Sequence, residues 1–375
     1  MKIGVPAETR AAETRVALTP AAAGKFVKKG VEVCVARGAG LPADYPDADY
    51  EAAGATLGTS EQAFAADVVL KVRAPDGDEI QQMRRGALVA GLLDPLGAPE
   101  ILSQLAEAGL DALALELVPR ISRAQSMDVL SSQANIAGYR AVLEAARHYR
   151  RFLPLMMTSA GTAKPARVVV LGVGVAGLQA IATAKRLGAR VEAFDVRPET
   201  REQVLSLGAK FIDIDIGSSG AGAGGYAREL TAEERERQQA GLAEHLAKAD
   251  IIITTAMVPG RKAPELVPES VVENMRPGSV IVDLAAAAGG NCPLSVADDV
   301  VVRYGVTLAG PTNLPGRMAA DASGFYANNL YNLLELFIAS GEEGAAPQLS
   351  VDLDDEIVDA VLAVHQGQVR FGRDR

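Results

Sequence analysis

Polar side chains crowd into one short stretch of this chain, "PRISRAQSMDVLSS", from Pro119 to Ser132. Arg120, Arg123, Gln125, Asp128, Ser131 and Ser132 all fall within it. An apolar, strand-like run (Ala112 to Val118) precedes the stretch, and a helix-like run beginning near Ser132 follows it. Such a connection needs one N-cap, which Asp128 or Ser131 would supply. Capping explains one or two of these residues but not the set, and a ligand-binding role explains the set.

A second constellation has a clearer chemistry. In "VVVLGVGVAGLQAIATAKRLGARVEAFD", a strand (Arg167 to Leu171) enters Gly172-x-Gly174-x-x-Gly177 and an Ala-rich helix, then a second strand that ends in Asp195. Gly172 permits a tight turn, Gly174 lets backbone approach a pyrophosphate, and Gly177 allows close helix–strand packing. The intervening Val173, Val175 and Ala176 bring free N–H groups of the helix N-terminus to the phosphates. A carboxylate about 20 residues on accepts both ribose hydroxyls of NAD and repels the 2′-phosphate of NADP. Arg197 complicates that choice, because an arginine can bind such a phosphate. The expectation is that Asp195 holds the strand end beside Val196, that Arg197 swings into solvent, and that the cofactor is NAD(H).

After the strand-like "KFIDIDI" comes a glycine-rich segment, "GSSGAGAGGYAREL". Connections in this kind of fold usually take about 2–6 residues. A lone aromatic, Tyr226 beside Gly225, reads as the tip of a lid closing over nucleotide, or else as part of a plain solvent loop.

General acid–base machinery is not visible. The three histidines, His148, His245 and His365, read as surface or packing residues, the last in a terminal helical pattern. There is no HExxH, no metal-spaced Cys/His set, no GxSxG and no P-loop, so no metal is expected. Oxidising an alcohol or amine with NAD moves a proton as well as a hydride and needs a base. Passing hydride between two nicotinamides requires only alignment.

The elements that must position these groups form two series. "KIGVPAE", "VEVCVA", "VVLKV", "ALVAGLL" and "ALALELV" read as strands separated by helices, and a second series runs from "RVVVLGVGVAG" through "RVEAFDV", "KFIDIDI", "DIIITTAM" and "SVIVDLA". Alternating β and α implies parallel sheets covered on both faces. The fold class is therefore α/β, with two Rossmann-like, doubly wound parallel-sheet domains separated by a cleft. Residues 1–131 with returning helices in 320–375 form one domain, and 132–319 form the nucleotide domain. The 375 residues suffice for two cores. A hydrophobic content of 49% and a charged content of 22% describe a globular protein. A net charge of −10 disfavours nucleic acid and anionic membrane surfaces. Cys34 and Cys292 have no CxxC spacing, as in a reducing cytosol. The N-terminus reads as a strand and not a signal peptide, and no apolar run reaches the roughly 18–20 residues of a spanning helix, so no direct membrane insertion is expected.

The segments "PRISRAQSMDVLSSQANIAGYRAV", "VVVLGVGVAGLQAIATAKRLGARVEAFDVRPETREQV", "TTAMVPGRKAPELV" and "SVIVDLAAAAGGNC" resemble the NAD(H)-binding component of proton-translocating nicotinamide nucleotide transhydrogenase. The resemblance runs from Met1 to near Ala339. It implies a homodimer that passes hydride from NADH to NADP(H) on a separate NADP-binding subunit, while a membrane proton-channel subunit translocates protons. It also implies a cytoplasmic location, peripheral to the inner (cell) membrane through those partners. By this resemblance Arg120, Gln125 and Asp128 are catalytic, aligning the rings with Ser131 at the nicotinamide end of NAD(H). Asp128 would orient Arg120, Gln125 would bond a ribose hydroxyl or the neighbouring nucleotide, and Ser131 would meet the carboxamide. Gly225, Tyr226, Gln238, Ala256 and Met257 would complete the cofactor site.

"IGVPAETRAAETRVALTP" and "VVLKVRAP" are also similar to alanine dehydrogenase, a relative with the same two-domain fold. The residues matching Arg15 and Lys71 hold the substrate carboxylate in that enzyme. Its proton-handling His falls on about Leu93 here, and its Asp falls on Ala287. Losing both argues against amino-acid oxidation and leaves Arg15 and Lys71 as structural ion-pair residues. An alanine dehydrogenase-like oxidoreductase is the alternative.

Overall fold

The computed structural model describes residues 1–375 except 216, 218, 220, 223–227, 229, 259, 340–346 and 373–375. The chain divides into two compact units, Met1–Gln133 with Pro315–Arg375, and Ala134–Leu314.

The first unit is built on an eight-stranded sheet. Six parallel strands run in the order Thr56–Gly58, Glu32–Ala36, Lys2–Val5, Val68–Arg73, Leu88–Leu92 and Asp111–Ala114. Chain order therefore reverses between Lys2–Val5 and Val68–Arg73, the place where doubly wound sheets bind ligands. Alternate residues of one strand point to opposite faces. Val68, Leu70 and Val72 pack with Phe26, Tyr326 and Leu330, whereas Val69 packs with Ile80, Leu102 and Leu105. Burial on both faces explains why the strands read as continuous apolar runs. The helix Pro20–Lys28 begins at Thr19, whose hydroxyl accepts the Ala22 N–H.

Some boundaries differ from those read in the sequence. The strand expected from Ala112 to Val118 ends at Ala114, and Leu115–Leu117 form a 3-10 turn. The turn sends the Glu116 carboxylate back to accept the N–H groups of Leu93 and Asp94, at 3.2 and 2.7 Å. The returning segment is not helical throughout. After the helix Ala319–Leu334 and the short helix Glu356–Val361, strands Leu362–His365 and Gln368–Val369 extend the sheet antiparallel beside Asp111–Ala114. His365 thus lies on a strand and bonds Asp111 at 2.9 Å.

The helix Val129–His148 starts three residues earlier than Ser132 and leads into the second unit. There a seven-stranded sheet repeats the order: Lys210–Phe211, Arg190–Phe194, Arg167–Leu171, Ile251–Thr254, Val280–Asp283 and Val306–Ala309, with Val300–Arg303 antiparallel at the edge. The reversal lies between Arg167–Leu171 and Ile251–Thr254. Val168 and Val170 pack on one face with Ala180 and Ile181, while Val169 and Leu171 pack on the other with Leu242 and Leu246. "KFIDIDI" yields only the two-residue strand Lys210–Phe211. It is an edge strand, paired only with Arg190–Phe194, and charged residues alternate with its isoleucines.

Candidate functional site

The three glycines after Leu171 play three different physical roles. Gly172 has φ +91°, and a side chain there would sit 2.7 Å from the Thr255 hydroxyl. At Gly177 a Cβ would lie 1.9 Å from the Gly172 carbonyl oxygen, so only glycine lets the helix Val175–Arg186 approach. At Gly174 a Cβ would meet nothing within 4 Å. Packing therefore does not explain glycine at 174, and backbone approach to a phosphate does. Gly174 is also the helix N-cap and offers no side-chain acceptor, which leaves first-turn N–H groups for an anion. Val173, Val175 and Ala176 follow the same turn. Gly138, which sequence reasoning missed, presses this turn from the preceding helix: a Cβ there would lie 2.0 Å from the Ala176 carbonyl oxygen.

Thr255 and Ala256 face the glycine turn from the fourth strand. The Thr255 hydroxyl donates to the Gly172 carbonyl at 3.0 Å and bridges the reversal point. A cavity of about 500 Å3 opens there, with Gly172, Asp195, Val196, Gln238, Ala256 and Arg261 among its lining residues. Gln238 is buried and Met257 is half exposed. Gly225 and Tyr226, the expected lid tip, lie outside the described residues.

Asp195 stands at the end of its strand, as expected, but Arg197 does not extend into solvent. The Asp195 carboxylate accepts the Val173 N–H at 2.7 Å and the Arg197 backbone N–H at 2.9 Å. It also takes both arms of the Arg197 guanidinium, at 2.9 and 2.7 Å. Two residues along a turning chain, a guanidinium reaches the carboxylate more readily than it reaches water. That hydrogen bond holds the Arg197 pKa above its ordinary value.

The cavity's far wall, residues 256–266, is held by groups with no recognisable motif. The Asn291 amide donates to the carbonyls of Ala256 and Pro264, at 2.9 and 2.8 Å. Asn291 is itself placed by Asp283, whose carboxylate accepts Thr254 Oγ1 and the N–H groups of Ala285 and Cys292. Cys292 is no nucleophile, since burial pushes its thiol up to about 11.

In the first unit, the "RAQSMD" segment is a 3-10 turn, Ser122–Met127. Arg123 anchors it through two bonds to Asp355, at 2.6 and 2.7 Å. Asn329 and Asn332 donate to the Ser126 carbonyl. Asp128 caps the following helix, accepting the Ser131 N–H at 2.9 Å and the Ser131 hydroxyl at 2.5 Å. This is the capping role considered for the pair, and both Asp128 oxygens are engaged by Ser131 and not by Arg120. Arg120 and Gln125 are exposed. Among the described residues no group bonds the Gln125 amide, which stands on a tightly held turn.

The reversal point of this unit is filled with charge. Arg15 donates to Glu13 at 2.7 and 2.6 Å and to Gln133 at 2.9 Å. Lys71 donates to Glu79 at 2.7 Å and lies 3.7 Å from Glu8, while Arg73 reaches Glu13 at 2.8 Å. Glu8 spans the two central strands by accepting the N–H groups of Val72 and Arg73. Burial raises the Glu8 pKa against the pull of Lys71 and those N–H groups. Burial works the same way on Glu13, but its bonds to Arg15 and the charges of Arg15 and Arg73 bring it below the usual carboxylate range. Leu93 is buried and Ala287 exposed.

Two doubly wound α/β units, one with an open glycine turn above a strand-end carboxylate, define a dinucleotide-binding protein of the Rossmann class. The chain belongs to the alanine dehydrogenase/PNT family: the model of the family's N-terminal domain matches residues 4–137 and that of its C-terminal domain residues 141–372. It is 49% identical over 378 residues to the first of the polypeptides that make up NAD(P) transhydrogenase subunit alpha in Rhodospirillum rubrum, covering 98% of this chain and 97% of that one. The crystal structure of transhydrogenase from Sinorhizobium meliloti superposes with a TM-score of 0.89 at 48% identity, over 98% of this chain and 100% of the other. Alanine dehydrogenase of Mycobacterium tuberculosis is more distant, 34% identical over 77% of this chain and 74% of its own. Among the described residues, no helix is long and apolar enough to cross a membrane.

Proposed function

We propose that this chain is the NAD(H)-binding subunit of a proton-translocating NAD(P) transhydrogenase. On this reading the second unit holds NAD(H), with its pyrophosphate over Gly172, Gly174 and Gly177 and its adenosine ribose at Asp195. Arg120, Gln125, Asp128 and Ser131 of the first unit serve the nicotinamide end, and Gly225, Tyr226, Gln238, Ala256 and Met257 complete the site. NADH supplies the hydride, and the acceptor is NADP(H) on a partner subunit. Proton translocation falls to a separate membrane subunit. The chain acts as a homodimer in the cytoplasm, attached peripherally to the cell membrane through these partners.

One observation carries the choice over amino-acid oxidation. Arg15 and Lys71, the cations that would hold a substrate carboxylate, are each bonded to a carboxylate of the protein itself. Leu93 and Ala287 hold no proton where the relative's His and Asp would. A site with alignment groups and no base fits hydride transfer between two nicotinamides, in which no proton moves at the reacting carbons. The test mixes the purified chain with an NADP-binding transhydrogenase subunit and NADH deuterated at the transferred position. The label should appear in NADPH, with none drawn from water. Alanine-dependent NADH formation without label transfer would favour the dehydrogenase reading.

A further inference from the structure

The Asp195–Arg197 pair does more than fill a turn. The Asp195 carboxylate is fixed by two backbone N–H groups, from Val173 and Arg197, so it cannot turn away from the strand end. The guanidinium comes to it with both arms, in the forked geometry by which arginine also grips phosphate oxygens. The pair is sheltered, its side chains 14% exposed for Arg197 and 6% for Asp195. Water therefore competes weakly for either charge. An arginine of this kind is ready to bind a phosphate, and the carboxylate already occupies it.

We infer that Arg197 is a specificity-determining residue: Asp195 selects the unphosphorylated ribose both by repelling a 2′-phosphate and by occupying the guanidinium that would bind one. Removing the carboxylate charge leaves a partly buried cation at the ribose position, which is an adenosine 2′-phosphate site. Removing the guanidinium instead leaves the carboxylate unneutralised and makes a 2′-phosphate still less welcome. The inference rests on the reading that the second unit holds the NAD(H) ribose at Asp195.

Calorimetry on the full chain tests both layers, with NADH, 5′-AMP and adenosine 2′,5′-bisphosphate as probes. The unaltered chain should bind NADH and 5′-AMP and bind the bisphosphate far more weakly. Failure to bind NADH and 5′-AMP would overturn the parent reading and the inference together. Asp195→Asn keeps an acceptor for the Val173 N–H and should tighten the bisphosphate by about 10–100-fold, the scale of one charge-assisted pair. Asp195→Ser serves as a second version should the first fail to fold. Adding Arg197→Ala should abolish most of the gain, and Arg197→Ala alone should weaken the bisphosphate further while sparing 5′-AMP. A gain that survives Arg197→Ala would mean that lost repulsion alone sets specificity. That result, no gain at all, or an Arg197→Ala chain indistinguishable from the unaltered one would each overturn the inference while NADH binding left the parent reading standing.

Discussion

The two units share a strand order, and each has one side chain bridging its first and fourth strands just past their C-terminal ends. In the second unit the bridge is Thr255, a neutral hydroxyl bonded to the Gly172 carbonyl, and the space beside it is open. In the first unit it is Glu8, and the space holds Glu13, Arg15, Lys71, Arg73 and Glu79 in mutual contact. A doubly wound sheet offers a ligand site at that point whatever the sequence. Glycine at 174 keeps one such site open, whereas three carboxylates matched by three cations close the other. Fold alone therefore does not say which unit binds; the side chains at the reversal point do.

The largest effect should come from unbalancing the closed site. Lys71→Ala leaves Glu79 and Glu8 buried without their cation. Equilibrium denaturation should show a loss of about 3–5 kcal/mol, with NADH affinity of the folded protein changed by no more than a few-fold. Replacing both partners, Lys71→Met with Glu79→Gln, should recover much of that loss. Full stability in Lys71→Ala would deny the cluster its structural role.

Next come the glycines of the open site. Gly177→Ala drives a Cβ into a backbone oxygen and should cost about 1–3 kcal/mol in stability. Gly174→Val has room in the protein, so melting should be unchanged while NADH binding weakens about 10–100-fold as phosphate contacts are lost. Equal behaviour of the two variants in both assays would erase the distinction between a packing glycine and a ligand glycine.

The smallest effect concerns the anchor of the polar turn. The Arg123 hydrogen bond lowers the Asp355 pKa to about 2. A depressed carboxylate pKa stabilises the folded state above the unfolded value and loses that contribution as pH falls from about 4 towards 2. The pair is largely exposed, so the change in stability should be slight. Asp355→Asn should remove this share of the acid dependence, and an identical profile in the variant would show that the anchor contributes nothing.

Much of this arrangement was legible in the chain. Strand, glycine turn, helix, strand and acid are local, and their residues follow one another between Arg167 and Asp195. Less local features escaped. Asn291 reaches Ala256 across 35 residues, and no spacing rule links an amide to a carbonyl so far away. The Asp195–Arg197 clamp was hidden for another reason: a residue type does not disclose its rotamer. Glu116, apolar neighbours on both sides, looked like strand and instead turned back to satisfy two N–H groups. Residues between Phe211 and Asp215 carry a strand-like alternation that short edge pairing does not sustain.

The central claim divides the work: the second unit binds NADH, and the turn bearing Gln125 aligns it. Gln125→Asn shortens one exposed amide by a methylene and disturbs no hydrogen bond among the described residues. The decisive measurement is the pair of values it changes, the NADH dissociation constant and the single-turnover rate of hydride transfer to NADP on the partner. The account predicts a dissociation constant within a few-fold of the unaltered chain and a transfer rate lower by about 10–100-fold, or roughly 1.4–2.7 kcal/mol of lost positioning. Weakened NADH binding with normal transfer at saturation would contradict it, by making the turn a binding clamp only.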